Sequence, residues 1–226
     1  MPRRVKRPPG NPDGRSTRWD NHREQRRAEL VAAAVAAIDH HGRGASLADI
    51  ATSAGVSKPV LYRYFANKDD LYRAVGHWGA TSMLEALLPA LLSDAPIQRR
   101  VGDGVDTYLS LIDQHPQVFL LLVKHRPDGA SDPLADGKEL IAAALARTLG
   151  DVLRELGADA AGAEPWAHGL VGLGLATGEW WLQRRTLSRA AVGGYLSTFI
   201  WHALEGIAAE YGACLDDNGR LRLVEP

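Results

Sequence analysis

The sequence predicts an all-α fold, a three-helix head joined by a long helix to a larger helical body. Three observations carry this expectation. Alanine, leucine and glycine dominate the 226 residues, and strongly alternating β-branched runs are absent. Apolar positions recur instead at i, i+3, i+4 and i+7, the repeat of a helix with one buried face. Prolines and glycines then cut the chain into pieces of helical length.

Residues 1–18 are rich in Pro, Gly and Arg and are expected to be a disordered basic arm. The first helix is expected over about 20–40, with Leu30, Ala34 and Ile38 buried and Gly42 and Gly44 ending it. Arg23, Arg26 and Arg27 fall in its first turns, where one of them could reach a phosphate backbone. The head closes with the stretch Ser46–Lys68, SLADIATSAGVSKPVLYRYFANK. Ser46 can cap a two-turn helix, because its hydroxyl accepts a first-turn N–H that has no partner within the helix. Leu47, Ile50, Ala51 and Ala54 form one apolar stripe, and Gly55 suits the left-handed turn that ends it. Val56 plugs the turn. Ser57 is placed to cap the next helix, and Pro59 sits in that helix's first turn, where a missing N–H costs little.

Projected at roughly 100° per residue, the second helix turns Leu61 and Phe65 inward. Pro59, Val60, Tyr62 and Arg63 point outward, and Lys58 and Tyr64 lie at the margins, well placed for phosphates. An apolar inner edge and a Lys/Tyr/Arg outer edge behind a Gly-containing turn make a helix-turn-helix recognition unit.

Asn67 and Lys68 begin a long fourth helix, expected over about 68–92, with Gly76 and Gly79 in its interior. Glycine costs about 1 kcal/mol there relative to alanine, so close packing or bending is expected, and the pair is a candidate flexible point. Further helices are expected at about 97–114, 117–124 and 134–157, separated by Pro96, Pro116 and Pro127–Pro133. Pro165 starts one running to about Arg185, and Ser188 caps the last. In that helix Val192, Tyr195, Leu196, Phe199, Ile200, Ala203 and Ile207 keep helical spacing over four turns. Residues from Cys214 onward read as a short tail.

The near-neutral total charge hides an asymmetry. Residues 1–75 hold 14 Lys+Arg against 8 Asp+Glu, and residues 76–226 hold 12 against 19. A basic head on an acidic body is the distribution of a DNA-binding unit on a body that does not bind DNA. One cysteine excludes an internal disulfide framework and fits a reducing cytosol. No apolar run approaches the about 18 residues that span a bilayer, so the expected location is the cytoplasm, without membrane association. The histidines His77, His115, His125, His168 and His202 are scattered singly, so neither a metal site nor a cofactor is expected. There is no GxSxG elbow, HExxH pair, P-loop or CxxC, and the chain is not expected to be an enzyme.

GVSKPVLYRYFANKDDLYRAV, with the preceding SLADIA, closely resembles the signature of the TetR family of bacterial transcriptional regulators. The resemblance covers about residues 27–75, and beyond them it is architectural. It implies a helix-turn-helix DNA-binding domain over 19–67, a ligand-binding and dimerisation domain over 68–213 and a tail over 214–226. The long fourth helix would then link body to head. By the family pattern Lys68 binds phosphate beside the N-terminus of that helix, which itself favours anions. The expected DNA-binding set is Ser46, Ser57, Lys58, Pro59, Val60, Tyr62, Arg63, Tyr64 and Lys68. Arg63 is the candidate for a bidentate contact to guanine, and Val60 for apolar contact with a thymine methyl.

Family members dimerise through their last two helices, which implies a homodimer reading a palindromic operator in double-stranded DNA. Trp181, Tyr195, Phe199 and Ile200 are the candidate interface residues. A cavity between helices is the usual effector site in such a bundle, and Met83, Leu87, Tyr108, Ile112, Phe119 and Trp180 are its candidate walls. With so many aliphatic and aromatic candidates, the expected effector is small and hydrophobic, of fatty-acyl or steroid-like type. The function expected is a ligand-responsive repressor released from its operator by that effector. The alternative is a helical DNA-binding or adaptor protein without a small-molecule ligand.

Overall fold

A computed structural model describes residues 14–124, 132–216 and 221–223. Within them the chain runs through α1 (Gly14–His41), a 3-10 turn (Gly42–Gly44), α2 (Leu47–Ser53), α3 (Lys58–Tyr62) and α4 (Lys68–Leu91). The body adds α5 (Ile97–Gln114), α6 (Pro116–Lys124), α7 (Ala135–Glu155), α8 (Ala163–Arg184) and α9 (Arg189–Glu210). Two short strands, β1 (Ala213–Leu215) and β2 (Leu221–Leu223), close the described chain.

Three bounds differ from the sequence reading. The first helix starts at Gly14, because no proline follows Pro12 to stop it, so residues 14–18 are helical rather than part of an arm. The rest of the expected arm, residues 1–13, lies outside the described residues. The helix expected from Pro165 starts at Ala163, and Pro165 stays in its first turn, where the helix needs no N–H from it. The expected tail contains a strand pair, with Ala213 opposite Leu223 and Leu215 opposite Leu221. Its sequence sign is Asn218–Gly219 between short apolar-alternating runs, the strongest short-range hairpin signal.

Local chemistry accounts for the head. Ser46 and Asp49 form a capping box: the Ser46 hydroxyl accepts from the Asp49 N–H, and the Asp49 carboxylate accepts from the Ser46 N–H at 2.8 Å. These Ser46 hydrogen bonds hold the Asp49 carboxyl below its ordinary value. Their contribution is therefore present above the unfolded carboxylate pKa and is lost as pH falls through the lowered one. Replacing Ser46 by alanine should cost about 1 kcal/mol of head stability, measured by urea unfolding. Gly55 takes the left-handed conformation, φ +63°, that ends the α2 segment. Asn67 caps α4, its side chain accepting from the Asp70 N–H at 2.8 Å, and Asp70 in turn accepts from the Ala66 N–H.

Three apolar clusters form among the described residues, and α6 belongs to the two larger ones. In the head, Leu30, Ala34 and Ile38 of α1 meet Ile50, Leu61, Phe65 and Val75, joined by Val118, Leu121 and Leu122 of α6. In the body, Met83, Leu109, Ile112, Trp181 and Leu196 pack with Leu120 of α6 and, at the margin, Phe119. One short helix therefore presents one face to the head and the other to the body. Each fully buried aliphatic side chain contributes about 1.5–3 kcal/mol, so α6 cannot shift without disturbing both cores.

Candidate functional site

The outer edge of the helix-turn-helix is open to solvent. Ser46, Ser57, Lys58, Pro59, Tyr62, Arg63 and Lys68 are exposed, and Val60 and Tyr64 half-buried, while Leu61 and Phe65 are buried beneath them. Tyr62 is 54 % exposed, unusual for a large aromatic that has no partner surface. Ser57 occupies the N-cap of α3 but its side chain makes no cap hydrogen bond, unlike the expectation, which leaves the hydroxyl available to an outside acceptor. Arg63 lies just past the short α3, at its C-cap. Lys68 stands with its ammonium 5.2 Å from the centre of the Tyr72 ring.

Of the arginines expected near DNA on α1, two are spoken for within the protein. Arg26 pairs with Glu29. Arg27 stacks 4.9 Å over the Phe65 ring and lies 3.9 Å from Asp70, tying α1 to the segment that follows α3 and to α4. Arg23 is exposed. Cations pinned in this way orient the recognition unit, leaving Lys58, Arg63 and Lys68 as its outward charges.

The body holds a cavity of about 290 Å³ between α4, α5, α6, α7, α8 and α9. Met83, Leu87, Tyr108, Ile112 and Phe119 all line it. Along α5 the lining runs from Arg100 to His115, about 22 Å at the helical rise. The walls are almost wholly apolar; Arg100, His115 and Lys138 are the basic groups among the described lining residues, and Asp39 and Asp132 pair with His115 and Lys138 from outside the lining. The Tyr108 hydroxyl donates to the Gly174 carbonyl at 2.6 Å, and burial pushes its pKa up, so it stays a donor. Gly178 makes room for it: a Cβ there would lie 2.3 Å from the Tyr108 oxygen.

The sequence reading missed the α7 wall, where Ile141, Leu145 and Leu149 face the cavity. Their i, i+4, i+8 spacing was the available signal. Trp78 and His115 were missed as well. Gly76, taken as part of a flexible point, is instead a close contact, with the Pro133 carbonyl oxygen 2.4 Å from where its Cβ would stand.

Trp180 and Trp181 both depart from their expected places. Trp181, assigned to an interface, is 2 % exposed inside the body core, its indole N–H donating to the Leu187 carbonyl at 3.0 Å. Trp180, assigned to the cavity, lies outside it at 38 % exposure. Neighbouring residues on a helix point about 100° apart, and α5 takes the side that Trp181 faces. Trp180 instead shares a surface groove with Thr177, Leu187, Tyr195 and Phe199. Tyr195 and Phe199 are 72 % and 64 % exposed. On α8 the exposed line is Gly169, Gly172, Ala176 and Trp180. Ile200, also assigned to the interface, lines the cavity instead.

A small helix-turn-helix head, a long connecting helix and a hollow helical body define a DNA-binding transcriptional regulator, and the comparisons agree. The profile described as "Bacterial regulatory proteins, tetR family" matches residues 30–75, and "Tetracyclin repressor-like, C-terminal domain" matches 86–214. An uncharacterised HTH-type transcriptional regulator of Mycobacterium tuberculosis is 36 % identical over 203 residues, covering 89 % of this chain and 86 % of that protein. The HTH-type transcriptional activator FasR of Mycolicibacterium smegmatis is 28 % identical over 190 residues, 82 % of this chain and 85 % of FasR. Among solved structures, a TetR-family regulator from Streptomyces coelicolor superposes with a TM-score of 0.64 at 23 % identity, covering 84 % of this chain and 82 % of that one. FadR of Bacillus subtilis, in complex with stearoyl-CoA, superposes with a TM-score of 0.60 at 17 % identity, covering 76 % and 95 %. The chain belongs to the TetR family of bacterial transcriptional regulators. It is a regulator, not an enzyme, and among the described residues no helix is long and apolar enough to cross a membrane.

Proposed function

We propose that this regulator binds a palindromic operator as a homodimer in the cytoplasm, and that a long, apolar effector with an anionic end releases it. The observation that carries the effector class is the composition of the cavity wall. A cavity whose aliphatic and aromatic lining extends about 22 Å along α5 suits an extended hydrocarbon chain. Three basic groups in the wall, Arg100 and the carboxylate-paired His115 and Lys138, favour an acid, phosphate or thioester-linked phosphate at an end. Support also comes from FadR, a protein of the same fold that holds stearoyl-CoA. The exposed Trp180, Tyr195 and Phe199 beside the small residues of α8 supply the apolar, closely approachable face that a twofold interface needs.

On DNA, Lys58, Tyr64, Lys68 and the hydroxyls of Ser46 and Ser57 would face phosphates, with Pro59, Val60, Tyr62 and Arg63 toward base edges. Bound over a promoter, the dimer excludes polymerase. An effector that prefers a conformer with the two recognition helices wrongly spaced lowers operator affinity by its differential affinity for that conformer. The relationship to an activator, FasR, supports a second reading in which the same switch promotes transcription.

Selection of bound DNA from random sequence tests the DNA half. A recovered palindrome supports the dimer reading, and a single unrepeated motif overturns it. With that operator in hand, Arg63→Ala should relax preference about tenfold at one symmetric pair of positions. Equal loss on operator and random DNA would assign Arg63 to phosphate alone. A promoter–reporter assay with and without palmitoyl-CoA separates repression from activation.

A further inference from the structure

We propose that Asp39 and His115 form a latch between the head and the cavity, and that an effector opens it by engaging the His115 ring. This rests on the effector reading above. Asp39 lies in the last turn of α1, the helix whose Leu30, Ala34 and Ile38 anchor the head core. His115 ends α5 just before α6 begins, and its carbonyl accepts from the Phe119 N–H at 3.0 Å. The two residues are 76 positions apart in sequence, yet His115 Nδ1 donates to Asp39 Oδ2 at 2.6 Å. An ionised carboxylate only accepts, so this short contact fixes the proton on Nδ1.

Three features make the contact a switch as well as a brace. His115 lines the cavity, and so does Trp78, whose indole meets the His115 ring edge-to-face at 5.3 Å. A group entering that end of the cavity therefore touches the two rings that hold the latch. The other oxygen of Asp39, Oδ1, is buried and has no hydrogen-bond partner among the described residues. Asp39 is thus held by one directional bond. Once His115 turns to an effector, both oxygens lack a donor, and the carboxylate is driven to find water. The Asp39 side chain, 26 % exposed, then turns outward, and the end of α1 loses its tie to the end of α5. Lys138 on α7, paired with Asp132, lines the same cavity, so an anionic effector end meets a second basic side chain in the wall. Displacement at Asp39 acts on α1, which packs against both α2 and α4 and so sets the position of α3.

Amide hydrogen exchange on the full chain tests the latch without a ligand. Asp39→Asn, His115→Leu and the double variant should each speed exchange at residues 37–45 about tenfold, the double no more than either single. Unchanged exchange, or additive effects, overturns the latch. Asp39→Asn keeps the side-chain shape, so the test survives if His115→Leu fails to fold. Palmitate is the probe for the second arm. In the wild-type chain it should slow exchange around Met83 and Leu87 and speed residues 37–45. In Asp39→Asn it should slow the first region and leave the already fast second one unchanged. Slowing at Met83 and Leu87 with no change at 37–45 overturns the latch while keeping the effector reading. No slowing at Met83 and Leu87 overturns the acyl-effector reading, and the ligand-free arm then decides the latch by itself.

Discussion

Trp181→Ala should destabilise the protomer by about 3–5 kcal/mol, the range for removing a large aromatic from a packed core. The adjacent Trp180→Ala should leave the protomer folded and weaken self-association. The contrast follows from one turn of geometry. Trp181 packs against Leu182, Val192 and Leu196 in the body core. Its indole N–H is satisfied by the Leu187 carbonyl, and the Arg185 guanidinium lies 4.5 Å over its ring. Arg185 is held there at a cost, since it is the one described non-glycine residue with positive φ, at 51°. Its 2.7 Å pair with Asp113 on α5 helps offset that strain. Truncating Trp181 removes the surface on which this corner of the body is built and leaves the Leu187 carbonyl short of a donor. Trp180 touches only the groove it shares with Tyr195 and Phe199. Urea unfolding measures the first effect and sedimentation velocity the second. A stable Trp181→Ala protomer with weakened association would return Trp181 to the interface and overturn the assignment made from its burial.

The same tryptophan pair shows what could be read from the sequence. The helix-turn-helix was legible because its determinants are local: a capping serine, a glycine in the left-handed turn, and the i, i+4 pair Leu61 and Phe65. Helix existence was legible for the same reason, since proline and glycine breaks act on neighbours. Orientation was not. The α8 helix carries apolar side chains and glycines on nearly every side, so its sequence does not say which side meets α5. That is decided by tertiary packing, which turns Trp181 into the body core and leaves Trp180 in a surface groove. The cavity was half legible: residues of α4, α5 and α6 were found because their stripes are strong, whereas its α7 wall was passed over. The Asp39–His115 contact lies beyond any local rule, because nothing within a turn of either residue marks the other as its partner.

Gly76 and Gly79 separate along the same line, and their alanine variants should move stability in opposite directions. Gly76→Ala should cost about 1–3 kcal/mol, as overpacking does. Its Cβ would stand 2.4 Å from the Pro133 carbonyl oxygen, a backbone atom, so either α4 or the segment entering α7 has to give way. The neighbouring crossing is just as close, with a Cβ on Gly137 falling 2.8 Å from that of Ala80. Both glycines therefore set how closely α4 and α7, two adjoining walls of the cavity, approach each other. At Gly79 an added methyl meets no atom within 4 Å, so the ordinary helix preference should show as a gain of up to about 1 kcal/mol. Gly79 also belongs to the cavity wall, so its variant should alter effector affinity by direct contact with no loss of stability. Chemical denaturation of both single variants and the double checks the signs. Two losses of equal size would mean that α4 needs glycine at both places for a reason other than contact with α7. A loss at Gly76 alone identifies that contact as the one docking α4 on the segment entering α7, and the effector proposed above would then act on α4 as a docked body, with Lys68 at its N-terminus.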